Sequence, residues 1–155
     1  MKKIIAFILF VAPFAQADTA LTRNERIVAL TILGEARGEG EIGMFAVGCI
    51  IQKRASERNL TPAKVCLEPW QFSVWNAGGG KVKKESELYH LWKSKSMTYA
   101  RKLARSVCDS KQVLTDVTGG ANHYCTLKTN PYWAKGKKPT VIIGNHKFFK
   151  LKGGE

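Results

Sequence analysis

The chain has 155 residues, room for one domain and one fair-sized core, and its 25 Lys and Arg against 12 Asp and Glu give a formal net charge of +13. That balance favours an anionic polymer or surface as partner: cell wall, acidic lipid or nucleic acid. Beyond residue 17 no apolar stretch is long enough to span a bilayer, and none of the four cysteines belongs to a C-x-x-C pair, which argues against a zinc or redox motif.

The first seventeen residues have the layout of a secretory signal peptide. Lys2 and Lys3 make a basic start, residues 4–14 an apolar run, and Ala15-Gln16-Ala17 a small-x-small cleavage site before Asp18. Without them, 23 basic and 12 acidic side chains remain, a net charge of +11 on residues 18–155, which are expected to form one exported domain. Cys49, Cys66, Cys108 and Cys125 all fall in that part. An even count in an exported chain allows up to two disulfides in three pairings, which spacing alone does not separate. The alternative is buried free thiols, since Cys49 falls on an apolar helix face.

Thr22-x-x-Glu25 reads as a capping box that opens a helix. On that helix Val28, Ile32 and Glu35 fall at i, i+4 and i+7 and share a face. Glu35 then stands at the helix C-terminus on an apolar stripe, where desolvation and the helix dipole both favour the neutral acid. A protonated carboxylic acid is what cleavage of a glycosidic bond needs. Gly34 to Glu41 reads equally well as a solvated, charge-rich turn, and spacing by itself favours that plainer alternative.

A second helix is expected over Glu41 to Arg58, with Ile42, Phe45, Ala46, Cys49 and Ile50 facing inward and Gln52, Arg54, Glu57 and Arg58 facing solvent. Asn59 ends it. Thr61-Pro62 opens a short helix, with Thr as N-cap and Pro at the first position. An aromatic and amide-rich stretch from Glu68 to Asn76 precedes a Gly78–Gly80 loop and a basic run from Lys81 to Lys84. Helical character returns near Glu85 to Lys93, and Ser96 caps a helix to about Ser110. Thereafter residues 122–126 and 140–143 read as short extended segments. The expected fold is α+β and mainly α, a helical domain with a small extended or β C-terminal part.

Five ordered blocks carry a resemblance: Gly34 to Glu39 (Gly-Glu-Ala-Arg-Gly-Glu), Gln71-Phe72-Ser73, Gly119 to Tyr124, Pro131-x-Trp133, and Ile143-Gly144-Asn145-His146-x-Phe148. Together they resemble the cell-wall hydrolase family of spore-cortex-lytic enzymes and related phage lysins, over nearly the whole chain after residue 24. The resemblance implies a lysozyme-like or lytic-transglycosylase-like fold. It also implies cleavage between N-acetylmuramic acid and N-acetylglucosamine in peptidoglycan, with Glu35 as the acid; separately, no cofactor or metal is expected. The chain departs from the family pattern at Cys125, where relatives often carry an aromatic residue or His. No separate wall-binding module accompanies these blocks, so a preference for modified cortex glycan does not follow.

Around Glu35 the expected substrate-binding residues are Gln71, Ser73, Trp75, His123 and Tyr124. In an extended segment Gln71 and Ser73 share one face while Phe72 points inward; satisfying loop backbone groups is the competing role. Among Trp70, Trp75 and Trp133, the expectation is that Trp75, beside the glycine loop, lines a groove. His123 and Tyr124 enter the cleft through the resemblance. His146 reads as structural as readily as catalytic, and the three histidines lack metal-ligand spacing. Glu39 is expected to be solvated and paired with a Lys, and Arg37 to brace the turn or lie exposed.

The leading expectation is therefore an exported, wall-associated and monomeric glycosidase, periplasmic or extracellular, acting on peptidoglycan glycan strands. If a sugar hydroxyl attacks, Glu35 suffices as acid and then base; if water attacks, a second carboxylate roughly 5–9 Å away is usual. The rival is a non-enzymatic basic protein that binds wall polymer or nucleic acid through its lysine loop and aromatics.

Overall fold

The structure, a computed structural model, describes residues 20–152. The expected signal peptide lies outside the described residues. Four helices come first: α1 (Arg23–Ala36), α2 (Gly40–Arg58), α3 (Pro62–Leu67) and α4 (Met97–Cys108), with 3-10 segments at Ser73–Trp75 and Glu85–Lys93 between α3 and α4. Three short strands follow, β1 (His123–Thr126), β2 (Val141–Ile143) and β3 (His146–Phe149), in an antiparallel sheet of order β1-β3-β2. The mainly helical α+β class expected from sequence is the one observed.

The helix signals behave as their chemistry predicts. Thr22 caps α1 through both halves of its capping box, the Thr22 hydroxyl accepting from the Glu25 N–H and the Glu25 carboxylate accepting from the Thr22 N–H. Thr61 caps α3 with Pro62 at the first turn, and Asn59 ends α2 in the left-handed conformation at φ 53°. Ser96 departs from expectation: its side chain makes no cap bond, and its hydroxyl donates to the Arg37 carbonyl.

Helix α1 is the centre of the molecule. Every residue from Ile27 to Leu33 is buried, so this part of the helix is covered on all sides rather than along one stripe. It packs against α2, α3, α4 and both 3-10 segments. Each fully buried Ile, Leu or Val contributes about 1.5–3 kcal/mol from removal of apolar surface from water. Helix α2 differs from the expected pattern at both ends: Ile42 is 54% exposed, and Arg54 is buried at 6% exposure.

Two glycines set the distances around the end of α1. Gly34 lies against the side chain of Val74, so closely that a Cβ would overlap it. Gly144, at φ +55°, occupies the two-residue turn between β2 and β3 and faces the Glu39 carboxylate, which leaves no room for a side chain. Glu39 corrects an expectation. Its carboxylate is held by Asn145 rather than by a Lys among the described residues: Oε2 accepts from the Asn145 N–H at 2.7 Å and Oε1 from the Asn145 side-chain amide at 3.3 Å. These bonds pin the β2–β3 turn to the start of α2. The Asn145 backbone N–H is also the main cause holding the Glu39 carboxyl below its usual range.

Two outcomes follow for folding. Gly34→Ala is expected to destabilise the protein by about 1–3 kcal/mol through overpacking on Val74. Adding Val74→Ala should recover most of that loss in a thermal melt. Because the Glu39 carboxyl is depressed in the folded state, its contribution is complete above the ordinary Glu range and fades as pH falls through the folded value. Glu39→Gln should therefore melt below the parent protein at pH 7, and the gap should close as the solution becomes strongly acidic.

Candidate active site

Glu35 occupies the last turn of α1 and is partly exposed, with the buried core behind it. Its Oε1 accepts from the Ser73 hydroxyl and from the Val74 N–H, both at 2.9 Å, and its Oε2 accepts from the Tyr124 hydroxyl at 2.8 Å. The carboxylate is thus bridged between a loop after α3 and strand β1. The apolar setting expected from the helical stripe is only half of what is found, because polar donors meet both oxygens. Burial, and next the charge of Glu35, push the Tyr124 phenol well above its usual range, so Tyr124 keeps its proton. A hydroxyl can also accept, so Tyr124 can stay bonded to Glu35 whichever partner holds the shared proton.

The loop that supplies Ser73 and Val74 is anchored residue by residue. Phe72 is buried and Ser73 exposed, the alternation expected of an extended entry, before the chain tightens into a 3-10 turn. Trp75 is 1% exposed, and its Nε1–H donates to Thr31 Oγ1 at 2.8 Å in the middle of α1. This corrects the expected role of Trp75 in a groove: a ring sealed in the core and bonded to α1 anchors the loop instead. The lysine run contributes as well. Lys83 Nζ donates to the Val74 carbonyl at 3.1 Å, and the Lys83 N–H donates to the Trp75 carbonyl at 2.8 Å.

Strand β1 separates two expected site residues by simple alternation. Tyr124 lies opposite Phe148 on the face turned to the helices, where His146 meets the Tyr124 ring edge-on at 5.2 Å between centroids. His123 lies opposite Phe149 on the other face, its ring 5.2 Å from that of Trp133 and its Nδ1 2.9 Å from Asn122 Oδ1. Burial, with Arg54 and Arg58 next, pulls His123 down to about 4, so the ring is neutral at pH 7. The structure therefore unites Ser73 and Tyr124 with Glu35 and sets His123 apart from it.

Gln71 enters the site through its backbone: its carbonyl accepts from Arg54 Nη1 at 2.9 Å and its N–H donates to the Glu68 carbonyl. Arg37 donates to the Leu33 carbonyl and covers the end of α1. His146 is buried at 6% exposure, and its Nδ1 has no hydrogen-bond partner among the described residues. Sequence reasoning missed the Val74 N–H, which no side-chain pattern announces, and Arg54. It also passed over Trp70, which is 66% exposed and holds φ +67° directly before the site loop.

All four cysteines are free thiols, so neither expected disulfide is formed. Cys49 on α2 points its Sγ at the Thr115 carbonyl and Cys125 on β1 points its Sγ at the Thr129 carbonyl, two separate parts of the fold. Burial pushes the Cys66 thiol to about 12 and the Cys108 thiol to about 11, far from reactive thiolates.

A cavity of about 740 Å3 opens between the C-terminal half of α2, the end of α4 and residues 109–121, and Glu35, Ser73 and Tyr124 are not among its lining residues. Three donors converge on Glu35, away from that cavity. No helix among the described residues is long and apolar enough to cross a membrane.

The architecture is shared with solved structures. The catalytic domain of the Bacillus cereus SleB protein aligns with a TM-score of 0.59 at 24% identity, over 84% of this chain and 93% of that one. The catalytic domain of the germination-specific lytic transglycosylase SleB from Bacillus anthracis aligns with a TM-score of 0.59 at 22% identity, over 84% and 97%. At such identities the likeness is one of fold. A search of curated proteins finds no match. A family model described as Cell Wall Hydrolase matches residues 38–149, beginning just past Glu35, so the reading of Glu35 rests on the geometry above. That match spans most of the chain, which belongs to the cell wall hydrolase family.

Proposed function

We propose that this protein is an exported peptidoglycan glycosidase that cleaves between N-acetylmuramic acid and N-acetylglucosamine by the lytic transglycosylase route, with Glu35 as general acid and then base. The observation that carries this reading is the pair of unlike carboxylates at the α1–α2 junction. Glu35 takes two of its three bonds from hydroxyls and the third from the Val74 N–H, whereas Glu39, four residues on, takes both of its bonds from the backbone and side-chain amides of Asn145. Glu35 is also the carboxylate whose charge acts on Tyr124 and Arg54. One acid with a committed neighbour suits internal attack by a sugar hydroxyl better than attack by an activated water, which calls for a second free carboxylate.

In this mechanism Glu35 gives its proton to the leaving glycosidic oxygen as an oxocarbenium-like centre forms. The Val74 N–H and Ser73 hydroxyl steady Oε1 while Tyr124 remains bonded to Oε2 through the change of protonation. The carboxylate so formed then takes the proton of the muramic acid hydroxyl that closes the anhydro ring. Trp70, exposed at the entry of the same loop, is the aromatic placed to meet a sugar face, in place of the buried Trp75. The net charge of +11 on residues 18–155 draws the protein to an anionic wall, an attraction that salt weakens. The export assignment rests on the pattern of residues 1–17.

The test is product analysis with Glu35→Gln as control. Purified peptidoglycan treated with the parent protein should release fragments ending in anhydromuramic acid, identified by mass spectrometry. Glu35→Gln should keep its circular dichroism spectrum and lose lysis by at least about 100-fold, the scale of a missing general acid. Reducing muramic ends would show water as the attacking group, and intact glycan with cut stem peptides would defeat the reading altogether.

A further inference from the structure

Arg54 is the charged residue whose position sequence patterning misassigns most. Expected on the solvent side of α2, it is 6% exposed and forms no ion pair among the described residues. A buried, unpaired guanidinium is costly, and cations of this kind persist where carbonyls and an attractive field replace the lost water. Arg54 Nε–H donates to the Asn122 carbonyl at 2.8 Å, Nη1–H donates to the Gln71 carbonyl at 2.9 Å, and the guanidinium carbon lies 5.0 Å from the centre of the Phe72 ring.

The two carbonyls are informative because of where they sit. Gln71 is two residues before Ser73 and three before Val74, the donors to Glu35 Oε1. Asn122 is two residues before Tyr124, the donor to Oε2. One planar fork thus ties together the loop and the strand whose donors converge on Glu35. Burial pulls Arg54 below its ordinary range, and attraction to Tyr124 and Glu35 opposes that pull while Arg58 adds to it and Cys66 acts against it. Glu35 and Tyr124 therefore lie within the electrostatic reach of the guanidinium.

We propose that Arg54 is a positioning residue for Glu35: its fork holds the two donor segments in register, and its fixed charge faces the carboxylate that remains after Glu35 gives up its proton. This rests on Glu35 being the general acid. The clamp and the charge separate experimentally. Lysine keeps a cation but lacks the planar fork; glutamine keeps a hydrogen-bonding amide but lacks the charge.

The experiment measures kcat and KM on soluble glycan fragments for the parent, Arg54→Lys and Arg54→Gln, with circular dichroism melts to establish folding. Arg54→Lys should lower kcat by at least about tenfold with KM within about twofold, the signature of lost alignment rather than lost binding. Arg54→Gln, which loses the charge as well as the fork, should lower kcat a further several-fold below Arg54→Lys, again with KM within about twofold. A folded Arg54→Gln with the same kcat as Arg54→Lys would overturn the charge role. Should that variant not fold, Arg54→Lys still decides: unchanged kcat, or a loss confined to KM, would overturn the clamp. A parent protein without glycan cleavage would instead defeat the assignment of Glu35, a distinguishable failure.

Discussion

A carboxylate at the end of a helix buried on every side needs hydrogen-bond partners, and this fold brings them from two distant stretches of chain. Ser73 and Val74 arrive on one loop and Tyr124 on a strand some fifty residues later. Much else in the molecule serves that meeting. Gly34 lets the loop lie directly on α1, Trp75 bolts it to Thr31, and Lys83 braces it from outside. The sheet, with a single face turned toward the helices, carries Tyr124 in and is itself fixed at its tight turn by Glu39.

The adjacent acids Glu35 and Glu39 show how environment divides labour between identical side chains. Glu39 binds a backbone N–H and an amide, the former holding its carboxyl below the usual range; Glu35 binds one backbone N–H and two hydroxyls, which can donate or accept. The difference comes from the break between them, where α1 ends at Ala36 with Arg37 as its cap and α2 begins at Gly40, which holds φ 70°. A continuous helix would have stacked both carboxylates on one face.

The parts of the fold written locally were legible in the sequence. The Thr22–Glu25 capping box, Thr61-Pro62 and Asn59 each specify a helix end through bonds made within a few residues. The ordered motif blocks were enough to indicate the cell-wall hydrolase family, and Glu35, Ser73 and Tyr124 could be named because each lies in such a block. Strand β3 was missed although Gly144-Asn145 between two β-branched or aromatic runs is a hairpin signal. Trp75 and Arg54 were misread for a different reason. Their burial is decided by partners 44 and 68 positions away, Thr31 and Asn122, and no local rule sees that far. A tryptophan beside a glycine loop looks like a groove lining, and an arginine on a helix looks solvated, until the tertiary contacts are known.

The most direct measurement of the central claim is a crystal structure of Glu35→Gln with a soluble peptidoglycan fragment bound. The account predicts a glycosidic oxygen within hydrogen-bond distance of the residue 35 side chain, with Tyr124 and Ser73 still on that side chain. A fragment seated instead in the cavity between α2 and α4, with Glu35 facing solvent, would contradict it.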